Sequence, residues 1–288
     1  PAAGAELAGV PILLLMATWS WNEADVDSSG KLGVYRAFFK KLTRGKWEGV
    51  QPQHEVVAQG HDTLEEAGGE GEFARALQLV AWHQSLETGT DSNEDAGMAL
   101  EDIRRLLRQH YAEGTAQLDQ GHIDAVTKSV VLSMFFRRGE SDDRVRFSHR
   151  SFREFLCAEF LVRQASQQLD RPGEARLLYF LSQRVISKEE LAFVCKIVEA
   201  DLSGRKDGLA DMVQQLGVQK GVVGRTGDKG YWVGSGPVPY GGQLVRVVED
   251  HSKVVRANAL AIASGLRWGM DDTATLRFRP HGFLSNRC

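Results

Sequence analysis

The sequence predicts a mainly α-helical protein with one small unit that mixes helices and strands, followed by an irregular glycine-rich tail. Apolar residues recur at steps of three and four through most of the first 216 residues, which is the spacing of amphipathic helices. Three such helices precede a polar turn at 137–143 and an alternating apolar–polar stretch at 144–148. That order of elements predicts a helical bundle plus a winged-helix unit. Glycines spaced by three between 221 and 230 mark the tail.

Composition excludes several broad classes of function. The chain has 288 residues, of which 42% are hydrophobic and 25% charged, and a net charge of −3 gives no general attraction to nucleic acid or anionic membranes. The apolar stretch at 10–16 is far shorter than the roughly 20 residues that span a bilayer, so no membrane partner is expected. Three scattered cysteines favour neither a disulfide framework nor a zinc site and predict a cytoplasmic location.

Most elements are predicted from apolar spacing and capping residues. The first helix covers 10–17, with Pro11 in its first turn, where a missing N–H costs nothing. Residues 45–71 are predicted to be a surface loop with at most one short helix. Ser187 and Glu190 form a predicted capping box. Further helices are predicted at 32–42, 73–81, 103–110, 123–135, 152–160, 175–179, 191–198, 209–216 and 254–264, and a strand at 243–249.

We divide the predicted chain into four parts. Residues 1–60 are a first helical domain, and residues 61–149 are the winged-helix domain. Residues 150–216 begin a second helical domain. Residues 217–288 are a glycine-rich tail to which the sequence assigns neither a fold nor a function.

His149 lies where the predicted strand joins the predicted helix at 152–160. Ser148 or Ser151 is the expected N-cap of that helix, because serine side chains accept from free backbone N–H groups. Such N–H groups and the helix dipole favour an anionic ligand. A histidine at this position therefore predicts contact with an anion, although many single histidines are structural.

Other motifs for nucleotide chemistry or catalysis are missing from the sequence. No Gly-x-x-x-x-Gly-Lys-[Ser/Thr] loop occurs, and neither Gly30-Lys31 nor Gly45-Lys46 fits it. No nucleophile elbow or His-Glu-x-x-His helix is present. Cys157 falls on a predicted buried helix, where an inert thiol is expected.

Six arginines near His149 leave two alternative functions open. They could contact nucleic-acid phosphates in a winged-helix regulator, or they could be solvated residues with weak local ion pairs. In the second case the chain could be an α-helical scaffold for a protein partner. The six are Arg137, Arg138, Arg144, Arg146, Arg150 and Arg153.

The segment at 147–161 resembles a segment that follows the ATPase core of NACHT-type STAND NTPases. It reads Phe-x-His-x-Ser-Phe-x-Glu-Phe-x-x-Ala-x-x-Leu. Residues 10–15, 34–39 and 131–136 resemble further helices of that family and occur in the same order. The resemblance covers roughly residues 8 to 200. The family includes animal NOD-like receptors and bacterial anti-phage proteins, which implies a role in signal transduction, innate immunity or defence.

The resemblance implies a nucleotide-dependent switch. Pro11 would pack near the adenine, and His149 would contact the β-phosphate of bound ADP. Exchange for ATP would release His149 and permit homo-oligomerisation. The P-loop and the Mg²⁺-binding strand of the family are expected before Pro1, so the expected partner is the protein's own N-terminal NTPase core. The resemblance therefore implies that this chain is not catalytic by itself and that the protein it belongs to is an ATPase. Nucleic acid is not an expected partner.

Overall fold

The computed structural model describes most of the chain between Gly30 and Trp268. The described residues are 16, 18, 30–44, 52–87, 97–112, 118–133, 136–138, 144–147, 149–171, 176–218, 222–226, 230–234 and 251–268. They form ten α-helices, one 3-10 helix and five short strands. The mainly helical class predicted from the sequence is confirmed for this part of the chain. Met16 and Thr18 are helical as well.

The helices agree with most of the predicted apolar segments. They are α1 (Gly30–Thr43), α2 (Pro52–Gly68), α3 (Glu72–Glu87), α4 (Leu100–Ala112), α5 (Gln120–Ser133), α6 (Arg150–Asp170), α7 (Arg176–Leu181), α8 (Lys188–Asp201), α9 (Lys206–Val218) and α10 (His251–Trp268). The strands are β1 (Met98–Ala99), β2 (Phe136–Arg138), β3 (Arg144–Phe147), β4 (Val222–Thr226) and β5 (Gly230–Gly234), and the 3-10 turn is Ser203–Arg205.

Helix α6 is the centre of the hydrophobic core. Its aromatic residues Phe152, Phe155 and Phe160 are each at most 3% exposed, and the helix packs against both α3 and α8. Full burial of one such side chain contributes about 1.5–3 kcal/mol of transfer free energy. Buried residues from Met16 to Leu266 belong to one contiguous cluster. The aromatic spacing that predicted this helix therefore marks the residues that organise the fold.

A three-stranded antiparallel sheet lies directly before α6, in the order β1-β3-β2. Met98 pairs with Val145, and Phe136 pairs with Phe147. Val145 and Phe147 are buried while Arg144 is exposed, which confirms the alternation predicted for this strand. The elements before α6 follow in the order α3-β1-α4-α5-β2-β3.

The prediction of a surface loop at 45–71 was wrong, because 17 of these residues form α2. Only a narrow stripe of α2 is buried, which includes Val57, Gly60 and Leu64, so its sequence appears polar. Gly60 lies against α5, where a Cβ atom would come within 2.0 Å of Ser129 Oγ. The Ser129 hydroxyl donates to the Val56 carbonyl at 2.6 Å. Close backbone approach at Gly60 therefore accompanies the narrow apolar stripe where α2 lies against α5.

The tail contains regular structure among its described residues. Strands β4 and β5 form an antiparallel hairpin, and α10 extends the predicted short helix to 18 residues. Helix α10 packs along α9, where a Cβ on Gly217 would meet the Ala259 Cβ at 2.8 Å. The term irregular is therefore wrong for 222–226, 230–234 and 251–268. The sequence predicted only part of α10, because the small residues that permit its close packing are weakly apolar.

Asn258 connects α10 to the turn between α7 and α8. Its Nδ2 donates to the carbonyls of Leu181 (2.8 Å) and Arg184 (2.7 Å), and its Oδ1 accepts from the Ile186 N–H (3.0 Å). Asn258 is 2% exposed, and its three hydrogen bonds are buried or partly buried. The last described helix is thus part of the main core.

Arg184 and Glu190 form a second buried polar contact at the start of α8, which we call the inner pair. Two N–H···O contacts of 2.7 Å join them, and their side chains are 12% and 3% exposed. The guanidinium also lies 4.4 Å from the centre of the Trp82 ring. Glu190 accepts from the Ser187 N–H while Ser187 accepts from the Glu190 N–H, which confirms the predicted capping box.

The four predicted parts relate to the helices in different ways. The boundary at residue 60 falls inside α2, and the boundary at 216 falls inside α9. The boundary after residue 149 coincides with the start of α6.

Among the described helices, none is both long and apolar enough to cross a bilayer.

Candidate functional site around His149

His149 is the residue for which the structure gives a detailed environment; Pro11 lies outside the described residues. His149 is the N-cap of α6, with φ −139° and ψ 133°, and it lies two positions after the end of β3. Its carbonyl accepts the Phe152 N–H at 3.1 Å. The residue lies at the joint of strand and helix, as the sequence predicted, and it is exposed.

The His149 side chain itself caps α6. Its Nδ1 accepts from the Ser151 N–H at 3.2 Å and lies 2.6 Å from Ser151 Oγ. The predicted cap by Ser148 or Ser151 was therefore wrong, since an imidazole nitrogen can accept like a hydroxyl oxygen. Ser148 lies outside the described residues. Because Nδ1 accepts, the neutral ring carries its hydrogen on Nε2. Nε2 is then a hydrogen-bond donor.

The surroundings of His149 favour this neutral form and also attract anions. Partial burial lowers the pKa of His149 below its ordinary 6.5, and the positive charge of Lys31 lowers it further. Lys31 stands in the first turn of α1, with its Nζ 5.2 Å from the centre of the Phe193 ring. A neutral N–H donor, a nearby ammonium group and the N-terminus of α6 form a surface suited to an oxyanion.

An aromatic cluster holds α1 against the first turns of α6. The Tyr35 ring lies 5.2 Å from Phe155 and 5.0 Å from Phe193, measured between ring centres. Phe152 stacks on Phe38 at 5.4 Å and lies 6.0 Å from the His149 ring. These distances are typical of favourable aromatic pairs. The cluster therefore fixes the position of His149 relative to α1.

Ser151 links His149 to Tyr35. The hydroxyls of Tyr35 and Ser151 share a hydrogen bond, and Ser151 Oγ also lies within hydrogen-bond distance of His149 Nδ1. Burial raises the pKa of Tyr35 to about 12, although the Ser151 contact opposes this rise. Tyr35 is thus a neutral hydroxyl at physiological pH. A chain of polar groups connects His149 to the inside of the α1–α6 contact.

Arg36, the residue after Tyr35 in α1, forms ion pairs that we call the outer clamp. Its guanidinium contacts Glu159 of α6 at 3.3 Å and Asp201 of α8 at 2.8 and 2.5 Å. The three side chains are 28%, 23% and 44% exposed. Burial raises the pKa of Glu159, and Arg36 partly offsets that effect. The outer clamp ties three helices together at a site open to water.

Other sequence candidates have structural roles in the described residues. Arg144 donates to the Gly97 carbonyl at 3.0 Å, and Arg150 pairs with buried Glu154 at 2.7 Å. The side chains of Arg137 and Arg138 are outside the described set. Cys157 is fully buried, and burial raises the pKa of its thiol to about 12, as expected for an inert cysteine.

The arrangement around His149 suits binding better than bond making. In the described residues, no group of three or more His, Cys, Asp or Glu side chains is placed to hold a metal ion. Lys31 would also repel a cation beside His149. The site could donate to an oxyanion and stabilise its negative charge.

Comparison of the chain with protein-family models, with curated proteins and with solved structures finds no match in any of the three.

The sequence did not single out Lys31, Tyr35 or Arg36. Helical spacing places Lys31 and Tyr35 on one face of α1, so a shared neighbour could have been predicted. The sequence could not predict that this neighbour is α6, because contacts between α1 and α6 join residues far apart in the chain. Arg36 and Glu159, for example, are 123 positions apart.

Proposed function

We propose that this chain is the regulatory part of a NACHT-type STAND NTPase, which transmits the nucleotide state of the protein through His149. The observation that carries the proposal is the Nε2 donor of His149, held at the start of α6 beside Lys31. It occurs inside the segment at 147–161 that resembles the family. In this proposal His149 donates to a phosphate oxygen of ADP and stabilises the closed state.

We also assign the elements from α3 to β3 to a winged-helix unit. The support is their order, helix-strand-helix-helix-strand-strand, with β3 between β1 and β2 in an antiparallel sheet. His149 follows the last strand of this unit directly. A contact between its side chain and a nucleotide would therefore couple that nucleotide to both the sheet and α6.

ADP or ATP is the proposed ligand, with Mg²⁺ and the P-loop supplied by an NTPase core that this sequence does not contain. His149 and Lys31 fit a phosphate group, since one donates a hydrogen bond and the other carries positive charge. Pro11 is the proposed adenine contact. The NTPase core would hydrolyse ATP. This chain would control the release of the closed state and the oligomerisation that follows in the cytoplasm. Oligomerisation would then produce an immune or anti-phage signal.

Two substitutions separate the capping role of His149 from its proposed ligand role. His149→Asp keeps an N-cap acceptor but removes the donor and adds a negative charge, whereas His149→Ala removes both. The protein is expressed with any residues that its gene encodes before Pro1, and co-purified ADP is measured after denaturation. We expect the ADP affinity of both variants to fall about tenfold to hundredfold, because a hydrogen bond to a charged group contributes about 1.5–3 kcal/mol. Both variants should therefore co-purify with less ADP. Both should oligomerise more readily.

The matched control is His122→Ala, which removes an exposed histidine from the first turn of α5. His122 lies 3.0 Å from Asp119 and has no part in the proposed site. This control should retain ADP and remain monomeric. Wild-type ADP content in His149→Asp, together with unchanged oligomerisation, would refute the proposal and leave His149 a structural cap.

The nucleic-acid alternative has weaker support. A winged-helix regulator inserts its third helix into the major groove, and that helix here is α5. Helix α5 lies against α2 through Ser129 and Gly60, and its outer side carries the half-buried Asp124 as well as the exposed Lys128. We therefore expect the 288-residue chain to show no salt-dependent affinity for duplex DNA in a fluorescence anisotropy titration. Tight binding at low salt would favour the regulator instead.

A further inference from the structure

A separate cleft of about 420 Å³ lies between α1, α2, α3 and α6. Its floor is apolar and includes Phe39, Leu77, Phe155 and Leu156. Its lining on α1 extends from Arg36 to Thr43, and Arg44 follows directly, whereas Lys31 near His149 is in the first turn. Lys31 and Thr43 are about 18 Å apart along the helix axis. The volume lies in the range of small-molecule pockets, about 300–1,000 Å³.

The two sides of this cleft carry opposite charges. Lys40 of α1 and Arg44 directly after it line one side, and Glu65 and Glu70 line the side formed by the end of α2 and the following turn. Arg36 also lines the cleft, but it is paired with Glu159 and Asp201 of the outer clamp, which line the cleft as well. A ligand in the cleft would therefore meet positive charge at one side and negative charge at the other.

Glu65 has a structural role that keeps the acidic side in place. Its two carboxylate oxygens accept from the N–H groups of Gly71 (2.6 Å) and Phe73 (3.2 Å) at the start of α3. Gly71 has φ +82°, which glycine adopts without strain. The turn that carries Glu70 is therefore fixed by hydrogen bonds to the preceding helix.

Gln78 supplies an unsatisfied acceptor at the same cleft. The residue lines the cleft and is 8% exposed, and its Oε1 accepts no hydrogen bond from the described residues. An unsatisfied buried acceptor destabilises the folded state, because it has lost its hydrogen bonds to water. The terminal torsion of glutamine is broad, so its carboxamide can turn toward a ligand at low cost. A ligand N–H would remove the penalty.

We propose that this cleft binds a free amino acid with an apolar side chain. Its carboxylate would pair with Arg44, and its ammonium would donate to Gln78 Oε1 and face Glu70. Its side chain would cover the apolar floor. The charge separation, the floor and the unsatisfied acceptor each match one part of such a zwitterion. The site is independent of His149 and of the proposed nucleotide.

Calorimetric titration of the 288-residue chain with L-phenylalanine tests the ligand class. We expect saturable binding of L-phenylalanine and at least tenfold weaker binding of 2-phenylethylamine, which lacks the carboxylate. 3-Phenylpropionate, which lacks the ammonium, should also bind at least tenfold more weakly, and glycine should not bind. Equal binding of either analogue would overturn the zwitterion proposal. Absence of binding by L-phenylalanine, L-leucine and L-tryptophan would overturn the site itself.

Gln78→Leu distinguishes a ligand contact from a structural role. The substitution removes an unsatisfied acceptor at nearly constant volume, so we expect thermal stability to rise while L-phenylalanine affinity falls at least tenfold. Gln164→Leu is the matched control, because Gln164 Oε1 is equally unsatisfied among the described residues but does not line the cleft. This control should gain stability and keep its affinity.

Arg44→Ala tests the basic side, with Arg108→Ala as a control at an exposed arginine on α4. Arg44→Ala should weaken the binding of L-phenylalanine and leave the already weak binding of 2-phenylethylamine unchanged, because only L-phenylalanine has a carboxylate. Arg108→Ala should change neither. Unchanged affinity in both Gln78→Leu and Arg44→Ala would show that L-phenylalanine binds elsewhere and would overturn the assignment of this cleft.

Discussion

Helix α8 is held at each end by an arginine, and the two contacts differ in how much water reaches them. The inner pair at its start is bidentate and at most 12% exposed. The outer clamp at its end involves Asp201, which is 44% exposed. Coulomb interactions are stronger where water is excluded, but an unpaired charge is also more costly there. The comparison indicates that α8 is fixed at its start and can adjust at its end.

The largest effect is expected from breaking the inner pair. Arg184→Met leaves the Glu190 carboxylate buried without its partner, and we expect a loss of about 3–5 kcal/mol of unfolding free energy. Urea denaturation at neutral pH measures it. Arg184→Met/Glu190→Gln should recover most of the loss, because glutamine is neutral and still serves the capping box. If the single variant lost no more than about 1 kcal/mol, the inner pair would not be the rigid end of α8.

A smaller effect is expected from breaking the outer clamp. Arg36→Met should cost about 1 kcal/mol or less, since partly exposed ion pairs contribute little. The difference from wild type should shrink as salt is added, whereas the effect of Arg184→Met should persist. Urea denaturation at low and high salt measures both. A loss as large as that of Arg184→Met would remove the distinction between the two ends.

The smallest effect is a pH dependence that arises from Glu159. Burial raises the pKa of this carboxyl above its ordinary 4.5, so the folded protein holds the proton more tightly than the unfolded chain. Its contribution to stability therefore increases as the pH falls from neutral toward 4.5. Glu159→Gln should lack this part of the rise, which urea denaturation across that range can measure. Identical pH profiles for variant and wild type would contradict the shift.

Local signals in the sequence predicted much of the fold. The apolar spacing of α1, α6 and α9 and the capping box at Ser187 identified elements that the structure contains. Helix α2 was missed because close contact of Gly60 with Ser129 replaces a broad apolar face. Helix α10 was predicted to be shorter than it is, since small residues at its contact with α9 are not strongly apolar.

Less of the candidate site could be predicted. The position of His149 at a strand-to-helix joint followed from local periodicity, but its role as the cap did not, because serines are the commoner caps. The outer clamp and the cleft depend on helices that meet in space. Arg36 and Asp201 are 165 positions apart, and no local pattern connects them.

The hydrogen bonds of Asn258 determine how far the chain can be shortened. A truncation after residue 216 would remove the side chain that satisfies the Leu181 and Arg184 carbonyls and the Ile186 N–H. It would also uncover the face of α9 that receives Ala259. A fragment that ends with the last predicted helical domain should therefore aggregate or be degraded, and a stable minimal fragment has to include residues up to Trp268.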